Sequence, residues 1–190
     1  MRLLVKISIG LIFGLLLVAL VLHVSAKNER EAEQTALSSI KKSVILLSDS
    51  FPPNGDMPIR CSCKGKEVSP ALIWEDVHPD VKSFVVLAQD YDVPTPAFPL
   101  YNLSHWVVFN LPATVRSLPE GVTAQQLRLL GGKVGRNGTG DPTYIGPCPP
   151  IGRHAYVFRV YALDQMLLFP DLPNKQAVLD AMKDHVLGYG

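Results

Sequence analysis

Polar side chains that could do chemistry stand where predicted strands begin or end. They are Asp90, Asp92, His105, His154 and Tyr156. A carboxylate beside an imidazole favours the protonated ring and fixes its tautomer. If the strand ends meet in space, these side chains form an array of donors that suits a phosphate or carboxylate group. We therefore predict a small anion-binding pocket.

A stiff loop should border this pocket. Within residues 146–152, Pro147, Pro149 and Pro150 lack a backbone donor and hold φ fixed, whereas the glycines permit turns. The segment cannot be regular structure, and it leads directly into the stretch that begins with His154. We therefore predict that Pro147 and Pro149 belong to one wall of the pocket.

Enzymatic and metal-dependent alternatives fit the same residues less well. Ser104, His105 and Asp90 could supply a hydrolase triad, but adjacent residues on a strand point to opposite faces, and no Gly-x-Ser-x-Gly elbow occurs. The aspartates and histidines could ligate a metal, yet neither His-x-His nor His-Glu-x-x-His spacing is present. The two aspartates are also common turn residues. We expect no catalytic residue, no metal and no cofactor.

Apolar patterns predict the fold. Residues 83–89 and 104–111 are apolar on both faces of a strand, and residues 154–163 are interrupted only by one arginine, so each stretch indicates a central strand. A helical period is clear at 175–187, where Asn174 is a candidate N-cap. These elements predict a mainly β domain with a few peripheral helices, including one near the C-terminus.

Length, charge and cysteines narrow the class of protein. The 190 residues carry a formal net charge of +1 and are 47% hydrophobic, which suits one domain and argues against a nucleic-acid partner. The cysteines are Cys61, Cys63 and Cys148. The Cys-x-Cys pair is too close in sequence for an easy bridge, so we expect Cys148 to pair with either Cys61 or Cys63.

The N-terminus carries an export signal. Arg2 and Lys6 precede an apolar run, 7–22, which is followed by His23-Val24-Ser25-Ala26. This pattern indicates either a cleaved signal peptide or an uncleaved anchor close to the ~20 residues that span a bilayer. Both interpretations export the remaining chain, to the periplasm or the outside of the cell. We divide the chain into a signal or anchor at 1–26, a linker at 27–42 and a domain at 43–190.

Four motifs, in this order, resemble those of the phosphatidylethanolamine-binding protein family, also called Raf kinase inhibitor-like proteins, and most of all its bacterial and archaeal branch. They are Cys63-Lys64-Gly65 with Ser69-Pro70 and Leu72-Ile73-Trp74; Asp90-Tyr91-Asp92-Val93-Pro94; His105-Trp106; and Gly146-Pro147-Cys148-Pro149-Pro150 followed by His154-Ala155-Tyr156. The family pattern has proline at Tyr91 and alanine at Val93, and these departures should alter the lip of the pocket.

The resemblance implies a β-sandwich with a small anion pocket near the surface. Its lining would be Asp90, His105, His154 and Tyr156, supported by Asp92 and by the loop that holds Pro147 and Pro149. The ligand would be an anionic small molecule or a phospholipid head group, bound without an enzymatic reaction. Some members inhibit kinases or proteases, so a protein partner is the alternative. The resemblance also implies a cis bond before a pocket proline, with Val93–Pro94 as the candidate.

Overall fold

The computed structural model describes residues 2–190, with side-chain surroundings from residue 10 onward. Within that range, two antiparallel sheets form a mainly β domain, as predicted. The smaller sheet contains β1 (Ile45–Leu47), β2 (Leu72–Glu75) and β5 (Ser117–Leu118), in the order β1-β2-β5. The larger contains β3 (Ser83–Val93), β4 (Tyr101–Pro112), β6 (Lys133–Val134), β7 (Tyr156–Leu163) and β8 (Val186–Tyr189), in the order β6-β4-β3-β7-β8.

The central strands are buried on both faces because each face has a separate cover. Between the sheets, Trp74 of β2 packs edge-on against Phe84 of β3, with ring centroids 5.5 Å apart. On the outer face of the larger sheet, Val85 and its neighbours pack against helices α1 (Arg2–Ser38) and α3 (Lys175–Ala181). This two-sided cover explains why β3 and β4 are apolar runs rather than alternating strands.

Side chains cap the starts of helices α2 (Ala124–Leu129) and α3. At α2, Thr123 and Gln126 form a reciprocal capping box, and at α3 the Asn174 side chain accepts from the Ala177 N–H. The predicted helix at 175–187 was too long: it ends at Ala181, and Val186 starts strand β8 instead. Pairing with the open edge of β7 satisfies backbone groups that a continued helix would leave unpaired on that strand.

The segment predicted as a linker, 27–42, is helical through Ser38. It is the C-terminal part of α1, and its inward face lies on the larger sheet, where Ala26 and Leu37 are buried. The preceding apolar side chains from Leu11 to Leu22 are exposed. By length and composition α1 can cross a membrane.

A disulfide joins Cys63 to Cys148 and leaves Cys61 as a buried thiol. The bond links the segment after the short 3-10 helix Ile59–Cys61 to the proline-rich loop. The sequence had left both partners of Cys148 open, and the structure selects Cys63.

Candidate functional site

The five predicted polar side chains meet at one end of the larger sheet. Asp90, near the end of β3, is paired directly with Tyr156, the first residue of β7. His154 lies just before β7, and His105 lies near the start of β4. The antiparallel order β4-β3-β7 brings these three strand ends together, so residues 15 to 66 positions apart from Asp90 in the sequence become neighbours.

A β-bulge aims His105 at the other four residues. Consecutive residues of β3 pair with β4 residues two apart: Ala88 with Trp106, and Gln89 with Ser104. His105 is therefore an extra residue in β4, and its side chain does not follow the alternation of the strand. Its ring lies edge-on to the ring of Tyr156, with centroids 5.2 Å apart.

Asp90 holds His154 in place. One carboxylate oxygen, Oδ2, accepts from Nδ1 of His154 at 2.8 Å, and the other, Oδ1, accepts from the backbone N–H of Asp92 at 2.8 Å. On the far side of the ring, Nε2 lies 3.3 Å from the backbone carbonyls of Pro94 and Ile151. The imidazole is thus fixed from both nitrogens.

These contacts select the charged form of His154. Carboxylate and carbonyl oxygens only accept, so each ring nitrogen must carry a hydrogen to bond them. Burial opposes the charged ring, but the hydrogen bond and the charge of Asp90 outweigh it and raise the pKa of His154. Both N–H donors are used within the protein, so His154 is a support of the site rather than a free donor to a ligand.

The pKa of His105 is shifted in the opposite direction. Its Nδ1 donates to the backbone carbonyl of Ile145 at 2.8 Å, which fixes the tautomer. Burial is the main reason why the pKa of His105 is lowered, and the bond to Ile145 and the charge of Asp90 offset this only in part. In the neutral ring, Nε2 is an acceptor. This buried atom has no hydrogen-bond partner within the described residues.

The Tyr156 hydroxyl is another buried polar atom without a hydrogen-bond partner in the described part of the chain. The Asp90 carboxylate is close enough to act on it electrostatically, although no hydrogen bond of acceptable geometry forms. Burial, with a smaller contribution from that carboxylate, raises the pKa of Tyr156 and keeps the hydroxyl protonated. The site thus presents one O–H donor beside one imidazole acceptor.

The remaining predicted residues make backbone contacts or are exposed. Asp92 accepts from the backbone N–H of Ala155 through Oδ2 at 2.9 Å. Pro147 is buried, and its carbonyl accepts from the Cys63 N–H at 3.1 Å, whereas Pro149 is exposed. The Val93–Pro94 bond is cis, as the resemblance implied. Pro149 is the one predicted residue that the structure leaves pointing to solvent at the edge of the loop.

Two residues that contact the site, Ile145 and Arg30, were not predicted from the sequence. Ile145 acts through its carbonyl, and a backbone group leaves no residue-type signal. Arg30 of α1 lies 3.8 Å from Asp92, in the segment predicted as a linker without chemistry. Tyr91, expected to alter the lip, instead faces α1 on the outer side of the sheet, where its hydroxyl donates to Glu33.

Two cavities lie away from this site. One, of about 540 Å³, lies beside α2 and β6, and the other, of about 510 Å³, lies between α1 and α3. Among the described residues, no group of three or more histidine, cysteine, aspartate or glutamate side chains is arranged to hold a metal ion.

The sequence profile of one family, described as phosphatidylethanolamine-binding protein, matches residues 47–190. The chain is 40% identical to a UPF0098 protein of Methanothermobacter thermautotrophicus over 144 residues, which cover 75% of this chain and 91% of that protein. Residues 1–46, which include α1, lie outside the family match.

Two solved structures are similar to this one. A phosphatidylethanolamine-binding protein homologue, CT736 from Chlamydia trachomatis, has a TM-score of 0.69 at 33% identity, covering 78% of this chain and 94% of its own. YbcL of E. coli, described as a member of the mammalian PEBP family, has a TM-score of 0.68 at 29% identity, covering 77% and 93%. The resemblance carried by the four sequence motifs is confirmed.

Proposed function

The chain belongs to the phosphatidylethanolamine-binding protein family, and on that premise we propose that it binds an anionic phosphate-type group at His105 and Tyr156 without transforming it. Family membership supports a binding role. One observation carries the choice of site: of the six buried side-chain polar atoms that lack partners within the described residues, His105 Nε2 and the Tyr156 hydroxyl belong to two rings that lie edge-on to each other. Buried polar groups are nearly always hydrogen-bonded, so this pair calls for a ligand or water.

The polarity of the two atoms indicates which anion would fit. With His105 neutral, Nε2 accepts and the Tyr156 hydroxyl donates. A phosphate that carries one proton matches both, because its P–OH can donate to the imidazole while a charged oxygen accepts from the tyrosine. An anion without a proton would require a protonated His105, whose Nε2–H then donates.

The Asp90–His154 pair would serve as a rigid support of the binding site. The imidazolium of His154 lies beside Tyr156, with ring centroids 6.3 Å apart, and adds positive charge without offering a free N–H. Its positive charge offsets part of the negative charge of Asp90, which acts on both His105 and Tyr156. Since both its ring nitrogens are occupied, it is not available for proton transfer, which supports binding rather than catalysis.

Export and tethering belong to the same proposal. The exposed apolar side chains of α1 and the helix length suit a bilayer span. The Cys63–Cys148 bond suits an oxidising compartment outside the cytosol. We infer an exported domain that α1 holds at the membrane.

A calorimetric titration of the full chain in detergent micelles with inorganic phosphate and with glycerophosphoethanolamine tests the site. We expect saturable binding of at least one of the two ligands. That binding should be lost in His105→Ala and retained in the matched control His78→Ala, which changes an exposed histidine of a turn. Equal affinity of His105→Ala and the unaltered protein would reject the site.

A protein-interaction role, as in a protease or kinase inhibitor, is the second candidate. The observation that favours it is the exposed run from Cys148 to Arg153, which the disulfide anchors at one end. If His105→Ala bound a protein partner unchanged while Pro149→Ser did not, the loop surface rather than the anion site would carry function.

A further inference from the structure

We propose that the end of the domain carrying the candidate site rests on the same bilayer that α1 crosses, and that three exposed side chains there contact lipid. These three, Phe98, Tyr101 and Ile151, are called the collar. The inference rests on the proposed role of α1 as an uncleaved anchor. It adds an orientation: the end of the domain that carries the candidate site faces this bilayer.

The contacts of α1 establish which end of the domain faces its apolar segment. Leu37 packs in the core of the outer face. Toward the N-terminus, Glu33 meets Tyr91, Arg30 lies near Asp92, and the Ala26 carbonyl accepts from Asn102. The helix thus runs along the ends of β3 and β4 toward the β3–β4 loop, and its apolar segment leaves the domain at the end that carries the site.

The last of these contacts coincides with the end of the apolar run. His23, one residue after Leu22, stacks on Phe98 with ring centroids 4.1 Å apart, and its Nδ1 donates to the Pro99 carbonyl at 2.8 Å. If residues up to Leu22 occupy the hydrocarbon, Phe98 and Pro99 lie at the level of the head groups.

Helix geometry gives the height of the site. With a rise of about 1.5 Å per residue, Arg30 lies about 12 Å along the helix from Leu22. The head-group layer on each side of a bilayer is roughly 5–8 Å thick, from the difference between total and hydrocarbon thickness. Asp92, which neighbours Arg30, is therefore about 4–7 Å beyond the head-group layer when the helix is upright.

The collar is exposed at this same end. Phe98 is 40% exposed, Tyr101 51% and Ile151 58%. Tyr101 is paired with Val93, and a Cβ on Gly152 would lie 3.9 Å from Pro96, so the loop carrying Ile151 adjoins the β3–β4 loop. Aromatic and apolar side chains of this kind favour the membrane interface.

The helix is not free to swing away from this orientation. Lys175 of α3 binds both Glu29 and Glu33, which are one turn apart on α1, and Arg159 donates to the Tyr91 hydroxyl at 2.6 Å. Four charged groups and a tyrosine therefore fix the docked part of α1 on the sheet. The domain has one preferred face toward the bilayer, and the loops bordering the candidate site lie on it.

Paramagnetic lipids test the orientation directly. The full chain, with methyl-labelled Ile and Leu, is placed in phosphatidylcholine nanodiscs containing a small fraction of a gadolinium-chelating lipid. We expect loss of the Ile151 methyl signal. The matched control is Leu168, which is 88% exposed beyond the opposite end of β7, and its signal should persist.

Three outcomes are distinct. If Ile151 and Leu168 respond equally, or if Ile151 is unaffected, the collar is overturned, even when the phosphate titration succeeds. If Ile151 is lost while neither phosphate ligand binds in micelles, the collar stands and the proposed anion site fails. If the mass of the chain isolated from membranes shows cleavage near residue 26, the tether is absent and the inference is overturned.

Ile151→Ser in the same nanodiscs, with unchanged Leu168 signals, checks that the assigned signal is Ile151.

Discussion

Nδ1 of His154 lies 2.8 Å from Oδ2 of Asp90, and the two side chains are 0% and 3% exposed. A buried carboxylate and a buried imidazolium are each costly alone and are tolerated because they are paired. The remaining bonds of both groups are made to backbone atoms. The pair is therefore a rigid part of the domain against which a ligand can be placed.

Replacing the carboxylate tests this pair. Asp90→Asn should lower the pKa of His154, because the amide carries no charge to hold the imidazolium. The raised pKa in the folded protein stabilises it fully below the ordinary histidine pKa of about 6.5, and this contribution is lost as pH rises through the folded value. The deficit in the free energy of unfolding of Asp90→Asn should thus be largest near pH 5–6 and shrink toward pH 8. Its maximum should be about 1.4 kcal/mol for each unit by which the substitution lowers the pKa of His154.

Histidine NMR titrations and urea unfolding at each pH measure both quantities. The exposed His78 is an internal reference, whose signals should be the same in both proteins. A His154 pKa unaltered by Asp90→Asn would show that Asp90 does not stabilise the charged ring.

Because Nε2 of neutral His105 is an acceptor, sulfate and phosphate should bind with different pH dependence. Sulfate has no proton to donate near neutrality, so it should bind only when His105 is protonated. Its affinity should fall by up to about tenfold per pH unit above the His105 pKa in the free protein, as expected for uptake of one proton. Calorimetry with sulfate and phosphate from pH 5 to 8 makes the comparison. Equal pH dependence for the two anions, once the phosphate's own ionisation is included, would contradict the acceptor role of Nε2.

Tyr156→Phe should separate stability from binding. Because the hydroxyl has no partner of good geometry, removing it should change the free energy of unfolding by less than about 1 kcal/mol. Anion affinity should fall about 10- to 100-fold, the range for one hydrogen bond to a charged group. Tyr101→Phe, at the exposed start of β4, is the control and should preserve affinity in micelles. A larger loss of stability in Tyr156→Phe would mean that the hydroxyl is bonded to Asp90 in the folded protein.

Lys175→Met tests the docking of α1. The substitution leaves Glu29 and Glu33 facing the sheet without their shared cation, which should weaken docking by about 2–3 kcal/mol, less than for a fully buried pair because Glu29 is partly exposed. Amide hydrogen exchange in residues 27–38 should accelerate while the central strands stay protected. Lys183→Met, at an exposed position after α3, should leave exchange unaltered. If Lys175→Met also leaves it unaltered, other contacts hold the helix.

Local sequence patterns determine much of the secondary structure. The apolar runs around Phe84 and Trp106 specify strands because a chain buried on both sides must be apolar throughout, and Asn174 marks a helix start because its side chain satisfies an exposed N–H. The ordered motifs were specific enough to identify the family. The prolines and glycines of residues 146–152 likewise predicted an irregular loop, and the segment is irregular in the structure.

Tertiary structure decided what depends on distant partners. His105 reaches the site because pairing with β3 leaves it as an extra residue in β4, which no periodicity in β4 encodes. Val186 became a strand because β7 offered an open edge, and Cys148 met Cys63 because the folded loops bring them together. The sequence therefore determined which residues could act, whereas long-range hydrogen bonds and ion pairs determined where each side chain points.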